Sequence, residues 1–294
     1  MTEPHSADAP ATARASGAVK LLGAADIRQL AAQHGIHPTK QRGQNFVIDP
    51  NTVRMIVAQS GVTADDVVVE IGPGLGSLTL GLLEVAHSVV AVEVDEALAA
   101  ALPSTVAKFA PEAAARVQVI HADALVITDV PAAPTAMVSN LPYNIAVPVL
   151  LHFLEHFPSI ERVLVMVQAE VADRLAAEPG SRTYGVPSVK ARWYADVHRA
   201  ASIGRNVFWP APNVDSALVF LQRHPQPDAD RRRVFELIDA GFAQRRKTLR
   251  AALARVLGSA SQAEESLRAA QIDPSARAEV LDVSDWIRLA QACS

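Results

Sequence analysis

The stretch VVVEIGPGLGSLTLG (residues 67–81) decides the fold of this chain. Its first part is a continuous run of mostly β-branched residues, which is typical of a buried strand. Glycines at Gly72, Gly74 and Gly76 then allow a sharp turn and a close approach of the backbone to a ligand. Helical character follows over 78–86. This order of strand, glycine turn and helix predicts an α/β unit with a ligand site at the turn.

The same alternation continues to residue 168. Apolar runs predict strands at 88–94, 117–123, 135–140 and 162–168, with helices at 95–109 and 147–157 between them. Pro103 is expected to interrupt the first of these helices. Strands that are apolar throughout and separated by helices indicate a parallel, Rossmann-like sheet covered by helices on both faces.

The C-terminal part has a different composition. A helix is predicted at 169–177 and a strand at 217–222, and the polar, proline-bearing stretch 223–230 is typical of a linker. Helical patterns then occupy the residues up to the end of the chain: 231–243, 245–257, 261–272 and 283–292. We therefore predict a disordered tail at 1–22, an α/β domain at 23–224, and a small all-helical domain at 225–294.

Composition narrows the function classes. The chain has 294 residues, half of them hydrophobic, and a net charge of −4, so any nucleic-acid site must be a local basic patch. The single cysteine, Cys293, rules out a disulfide within the chain and a cysteine-only metal site, so we expect no metal and a reducing cytoplasm. No apolar run approaches the roughly 18 residues that span a membrane.

The glycine turn points to a particular cofactor. A nicotinamide dinucleotide fingerprint needs a third glycine at position 77, where this chain has Ser77. An acid at Glu70 followed by Gly-x-Gly-x-Gly is instead the pattern of enzymes that use S-adenosylmethionine, a ligand without phosphate. A purely structural turn and a nicotinamide oxidoreductase remain as alternatives.

Two acids end the next strands on the same edge of the predicted sheet. Glu93 lies about 20 residues beyond the glycines, where a carboxylate accepts hydrogen bonds from both ribose hydroxyls of a nucleoside ligand. Asp123 ends the following strand, and its carboxylate is placed to accept from the exocyclic amine of adenine. The alternatives are a helix cap for Glu93 and a turn for Asp123.

The fourth strand ends in Asn-Leu-Pro-Tyr, residues 140–143. The exocyclic amine of a base is a poor nucleophile because its lone pair is delocalised into the ring. The Asn140 side-chain oxygen and the Leu141 carbonyl would hold its two hydrogens and localise that lone pair. Pro142 fixes the backbone, and Tyr143 offers a stacking face for the base. A proline turn with a core tyrosine is the alternative.

Basic residues cluster in the predicted helical domain. One run is 231–233, and a second contains Arg245, Arg246, Lys247 and Arg250. Such clusters on helices track the phosphates of RNA, although a solvated helix face has the same pattern.

In this order the motifs resemble the KsgA/RsmA family of small-subunit ribosomal RNA adenine dimethyltransferases. They are GQNFVIDP, VVEIGPGLGSLT, HADAL, NLPYNIAVP, VFWPAPNVDSALV and FAQRRKTLR, and they cover most of residues 37–290. The resemblance implies an S-adenosylmethionine-dependent enzyme whose target adenine lies between Tyr143 and Phe208. It places the cofactor contacts on Gln44, Asn45, Val47, Gly72, Gly74, Glu93, Asp123, Ala124 and Asn140.

The resemblance also implies the substrate. The family converts two adjacent adenosines near the 3′ end of 16S rRNA to N6,N6-dimethyladenosine in the immature small subunit, and its helical domain contacts the rRNA. We expect a monomer with no membrane partner. A 23S rRNA dimethyltransferase of the macrolide-resistance type and a mainly non-catalytic assembly factor remain as alternatives. Departures from the family pattern at Pro187, Ala211 and Asn213 bear on RNA affinity rather than on chemistry.

Overall fold

The computed structural model describes residues 19–38 and 44–293. Their strands form one seven-stranded sheet in the order β4-β3-β2-β5-β6-β9-β7 and one two-stranded ribbon of β1 and β8. The strands are β1 (Phe46–Val47), β2 (Val67–Ile71), β3 (Ser88–Glu93), β4 (Val117–His121), β5 (Ala136–Asn140), β6 (Arg162–Gln168), β7 (Ala195–Ile203), β8 (Phe208–Trp209) and β9 (Ser216–Arg223).

Helices connect these strands and continue beyond the last of them. They are α1 (Ala24–Gln33), α2 (Pro50–Ser60), α3 (Ser77–Leu83), α4 (Glu96–Phe109), α5 (Ala146–His156), α6 (Ala169–Leu175), α7 (Val186–Arg192), α8 (Arg231–Ala243), α9 (Leu249–Leu253), α10 (Ala260–Ala269) and α11 (Val283–Ala292). The strands β2 to β6 are mutually parallel, and β9 is antiparallel to both β6 and β7. The prediction of a helix-flanked, Rossmann-like α/β fold is confirmed.

Pro103 does not interrupt α4, contrary to expectation. A proline inside a helix costs about 3 kcal/mol. The same helix buries Leu98, Leu102 and Val106 almost completely, and each such side chain contributes about 1.5–3 kcal/mol. Burial of this face therefore outweighs the hydrogen bond that the proline removes.

The strands β2 and β5 mark the point where the strand order reverses. They are paired only at Val68–Ala136 and Val69–Met137, and beyond this the Ile71 amide donates to the Ser139 hydroxyl at 2.8 Å. The two strands therefore separate towards their carboxyl ends. Ligands bind in this kind of crevice in open α/β sheets.

The C-terminal helices share a core with the sheet. Trp193 and Phe235 pack edge to face with ring centroids 5.8 Å apart, and the Tyr184 hydroxyl donates to the Leu281 carbonyl at 2.9 Å. The division into two domains at 224 stays a prediction. One expected helix, 245–257, is wrong in extent, because residues 244–247 form a turn and only α9 is α-helical there.

The expected tail needs a similar correction at its boundary. Leu21 and Leu22 are buried, and the Lys20 amide donates to the Phe109 carbonyl at 2.8 Å, so residues 19–22 pack on the fold. Residues 1–18 lie outside the described part of the chain. Within the described part, none of the helices is long and apolar enough to cross a membrane.

Candidate active site

A cavity of about 710 Å³ lies at the carboxyl ends of β2, β3 and β5. This volume is within the usual range for small-molecule sites. The cavity brings together seven of the predicted cofactor residues, which come from distant parts of the chain: Gln44, Asn45, Val47, Gly72, Gly74, Glu93 and Asn140.

The glycine loop forms one wall of this cavity. Gly72 and Gly74 have φ of +67° and +57°, which is the left-handed region that side chains disfavour. A Cβ on Gly74 would lie 2.7 Å from a ring carbon of Phe46. The loop therefore packs against β1, where the Val47 carbonyl accepts from the Ser77 hydroxyl at 2.6 Å. The requirement for glycine at these positions has a steric cause.

Glu93 connects the glycine loop to the end of β3. One carboxylate oxygen accepts from the Gly74 amide at 3.2 Å, and the other accepts from the Asp95 amide at 3.0 Å. The side chain is buried, which raises the pKa of its carboxyl group. A carboxylate held in this way at the cavity wall has the position that a ribose-binding group needs, although the role itself stays a prediction.

Replacing Glu93 with Ala is expected to raise the dissociation constant of S-adenosylmethionine about tenfold or more. A hydrogen bond to a charged group is worth about 1.5–3 kcal/mol, and the substitution also releases the glycine loop from β3. Isothermal titration calorimetry measures this change directly. Glu112→Ala, which removes an exposed carboxylate that does not line the cavity, is the control, and unchanged affinity in Glu93→Ala would contradict the assignment.

Glu70 is a cavity residue that the sequence interpretation used as a motif marker but did not assign to the site. It is 1% exposed, and its carboxyl group accepts from the Thr79 hydroxyl at 2.6 Å. Burial raises its pKa to about 8, opposed by the Thr79 hydrogen bond and assisted by nearby Glu93. The sequence contained a signal for Glu70: an acid within a run of β-branched residues is costly to bury, so its presence there points to a role at the site.

The raised pKa of Glu70 makes stability depend on pH. Between its usual value near 4.5 and about 8, the folded chain retains a proton that the unfolded chain has lost. Stability from this group is therefore fully present below pH 4.5 and is lost as pH rises through 8.

Glu70→Gln keeps an acceptor for Thr79 but cannot ionise, so we expect it to raise the melting temperature above that of the unsubstituted protein at alkaline pH, by at least the roughly 2–4 °C that about 1 kcal/mol produces in a chain of this size. Near pH 4.5 the two proteins should have the same melting temperature. Thermal unfolding followed by circular dichroism across this pH range tests the sign. A gain that is the same at every pH would contradict the buried-carboxyl explanation.

The Asn-Leu-Pro-Tyr turn lines the cavity next to the glycine loop, since a Cβ on Gly72 would lie 3.8 Å from the Pro142 ring. The Asn140 side-chain nitrogen donates to the Asn45 carbonyl at 2.9 Å, which fixes the orientation of the amide and leaves its oxygen to act as an acceptor. The Leu141 amide donates to the Met166 carbonyl at 3.1 Å, and the Pro142 carbonyl accepts from Ile145. No backbone amide of the described residues donates to the Leu141 carbonyl. The two predicted acceptors are therefore held in place by contacts that do not use their oxygens.

A second cavity, of about 470 Å³, lies beside the first. Gln44, Asn45 and Asn144 line both cavities, and Tyr143 lines the second. The Tyr143 hydroxyl lies 2.7 Å from the Ser216 hydroxyl. The remaining lining residues are Gln168 and the loop between β8 and β9: Pro210, Ala211, Pro212, Asn213 and Val214.

Four predicted catalytic or cofactor residues do not belong to the lining of either cavity: Leu141, whose side chain is buried in the core, Phe208, Asp123 and Ala124. Phe208 is buried beside Val47 in the β1–β8 ribbon, so its place beside the target adenine stays a prediction. Asp123 is exposed, and its carboxylate accepts from the Leu125 amide at 2.8 Å, as expected for a turn. Ala124 is buried in the core.

Three of the four predicted RNA-binding residues, Arg245, Arg246 and Lys247, are on the turn before α9, and Arg250 is in α9 itself. Arg245 donates to the carbonyls of Arg182 and Tyr184 at 3.1 and 3.0 Å, which ties the turn to the loop before α7. Arg250 pairs with Glu264 at 2.9 Å. Two of the four predicted contacts therefore already have protein partners.

The charge of the first cavity selects the kind of ligand it can hold. Of the described residues that line it, none is Lys or Arg, and four carry carboxyl groups: Glu93, Asp95, Glu96 and Glu70, the last of which is protonated at neutral pH. This lining opposes a dinucleotide, whose pyrophosphate needs cations or helix amides. It fits S-adenosylmethionine, which carries a positive sulfonium and an ammonium group. Within the described chain, no cluster of three His, Cys, Asp or Glu side chains is arranged to hold a metal.

The fold and the two adjoining cavities define a methyltransferase with a Rossmann-like sheet. The model of the ribosomal RNA adenine dimethylase family matches residues 37–294, so the chain belongs to this family. The chain is 65% identical over 275 residues to ribosomal RNA small subunit methyltransferase A of Streptomyces avermitilis, covering 92% of this chain and 93% of that protein. It is 58% identical to the protein of that name from an Arthrobacter species, covering 99% and 98%.

Two solved structures have a similar fold. A dimethyladenosine transferase from Plasmodium falciparum superposes with a TM-score of 0.71 at 22% identity, covering 83% of this chain and 95% of that one. The 23S rRNA methyltransferase ErmE superposes with a TM-score of 0.64 at 26% identity, covering 84% and 99%. The chain is thus an enzyme of the rRNA adenine dimethyltransferase class.

Proposed function

We propose that this enzyme transfers methyl groups from S-adenosylmethionine to the N6 amines of two adjacent adenosines near the 3′ end of 16S rRNA, in the immature small subunit. The observation that carries the proposal is the Asn140 amide, which is held by the Asn45 carbonyl at the boundary between the two cavities. The small-subunit target is supported by relatives named small subunit methyltransferase that are up to 65% identical. ErmE, at 26% identity, supports the large-subunit alternative more weakly.

Methyl transfer requires mainly that the protein position the adenine amine relative to the methyl group. When bound, S-adenosylmethionine supplies an electrophilic methyl group on its sulfonium sulfur. The Asn140 oxygen and the Leu141 carbonyl accept the two hydrogens of the adenine amine and localise its lone pair towards the first cavity. Pro142 fixes the spacing of these acceptors, and Tyr143 stacks on the base. No strong general base is required, because the gain comes from orientation and fixed dipoles.

The cofactor residues divide into two groups. Glu93 and the loop at Gly72 and Gly74 are proposed to hold the ribose and the methionine part, and Gln44, Asn45 and Val47 to cover the cofactor from the side of β1. Asp123 and Ala124 follow β4, next to β3, where the Ala122 amide donates to the Glu93 carbonyl at 3.0 Å. We retain Asp123 as the adenine contact, because the Leu125 amide donates to only one of its two carboxylate oxygens and the other can accept from the adenine amine.

The proposal is tested with purified ribosomal subunits that lack the modification. The protein is incubated with labelled S-adenosylmethionine and either small or large subunits, and the digested RNA is analysed for nucleosides. Dimethyladenosine in the small-subunit sample alone is the expected result. Dimethyladenosine from the large subunit would instead support the macrolide-resistance type, and its absence from both would overturn the proposal. We further propose that the enzyme acts in the cytoplasm as a monomer.

A further inference from the structure

Tyr143 is attached to the central sheet by its hydroxyl group. That hydroxyl lies 2.7 Å from the hydroxyl of Ser216, which is 0% exposed. Ser216 is the first residue of β9, where it is paired with Gln168 of β6 on one side and Ile203 of β7 on the other. The tyrosine itself extends from a turn. Its ring is therefore anchored at the far end to a rigid element rather than by the turn alone.

The phenol is suited to anchoring and not to proton abstraction. Burial raises the pKa of Tyr143 above its usual value, so the group is protonated at neutral pH. A protonated phenol shares a hydrogen bond with Ser216 and leaves its ring face for stacking at the second cavity. The Ser216 contact therefore controls where this ring face lies.

The contribution of the Tyr143 ring to positioning the base differs between the two methyl transfers. Each transfer forms one N–C bond and breaks one S–C bond, whose electron pair remains on sulfur, and it releases one amine proton to solvent. The unmodified amine offers two hydrogens to two acceptors, the Asn140 oxygen and the Leu141 carbonyl. After the first transfer only one hydrogen remains, so one acceptor loses its donor. The position of the monomethylated base then depends more on stacking.

We propose that Ser216 is a positioning residue for the second methyl transfer, because its hydrogen bond holds the Tyr143 ring on which the monomethylated adenine stacks. This inference rests on the proposed function and extends it to the completeness of methylation. An enzyme with the ring released should still perform the first transfer, when two hydrogen bonds position the base, and should pause before the second.

The test compares Ser216→Ala with Tyr143→Phe, which remove the same hydrogen bond from its two ends. Both keep the strand and the aromatic ring. Small subunits are methylated over a time course, and monomethyladenosine and dimethyladenosine are quantified in the digested RNA. We expect the monomethyl fraction to rise about fivefold in each variant, while the first transfer changes less than about twofold in Ser216→Ala, which leaves the stacking ring itself unaltered. The double variant should show no larger rise than either single one.

A control variant and a spectroscopic measurement distinguish this positioning role from a general structural effect of the substitution. Ser188→Ala removes a serine hydroxyl that is equally buried but lines neither cavity, and it should keep the original product ratio. The chain has three tyrosines, so 3-fluorotyrosine labelling gives three ¹⁹F resonances. Ser216→Ala should shift the resonance that Tyr143→Phe removes.

Two results would overturn the inference while the proposed function stands. One is an unchanged ratio of monomethyl to dimethyl product in Ser216→Ala, and the other is a loss of both transfers to the same extent. If the unsubstituted enzyme made no dimethyladenosine on small subunits, the proposed function would fail first and the inference with it.

Discussion

Asn140→Ala is expected to lower the rate of methyl transfer by about 10²–10³-fold, the loss seen when one preorganised polar group is removed from an active site. The structure gives the reason for so large an effect. The Asn140 amide is oriented by its hydrogen bond to the Asn45 carbonyl, so its oxygen is already aimed before the base arrives. Alanine removes this acceptor and puts no other group in its place.

The measurement is the single-turnover rate with saturating S-adenosylmethionine and unmethylated small subunits. Cofactor affinity and subunit binding should change little, because the other cavity contacts remain. Asn51→Ala, which alters an exposed amide on α2, is the control and should keep the full rate. If Asn140→Ala lost subunit binding to the same degree as catalysis, the separation between a catalytic turn and an RNA-binding surface would be wrong.

The sequence predicted the parts of the site that depend on local chemistry. Glycines before α3 and a polar residue at the end of β5 are constrained by neighbours a few residues away, so their positions could be inferred from pattern. The parallel strands were predicted for the same reason, since their apolar runs are continuous. β7 was missed because its exposed residues interrupt any apolar run, as expected for an edge strand.

Contacts between distant segments could not be inferred. The hydrogen bonds from Asn140 to Asn45 and from Tyr143 to Ser216 join residues separated by 95 and 73 positions. No periodicity encodes such a pair. The pairing of Phe208 with Val47, which buries the Phe208 side chain, likewise joins distant segments. These tertiary contacts arise from how the sheet and the β1–β8 ribbon pack together.

The largest expected effect on RNA binding comes from reversing two charges, Arg246→Glu with Lys247→Glu. Both side chains are exposed on the turn between α8 and α9, and neither forms an ion pair with another described residue. Arg245 is a poorer test, because it ties that turn to the carbonyls of Arg182 and Tyr184 and its loss would disturb the structure.

Because the chain has a net charge of −4, its attraction to RNA must come from local patches rather than from overall charge. If Arg246 and Lys247 each neutralise one phosphate, the double variant should bind small subunits about 10²-fold more weakly at low salt. The slope of log affinity against log salt concentration should also become less steep, by roughly the amount expected for the loss of two phosphate contacts. Filter binding over a salt series measures both quantities. Arg28→Glu with Lys108→Glu makes the same change in net charge at other exposed positions, and an equal loss there would show that overall charge, not this turn, governs binding.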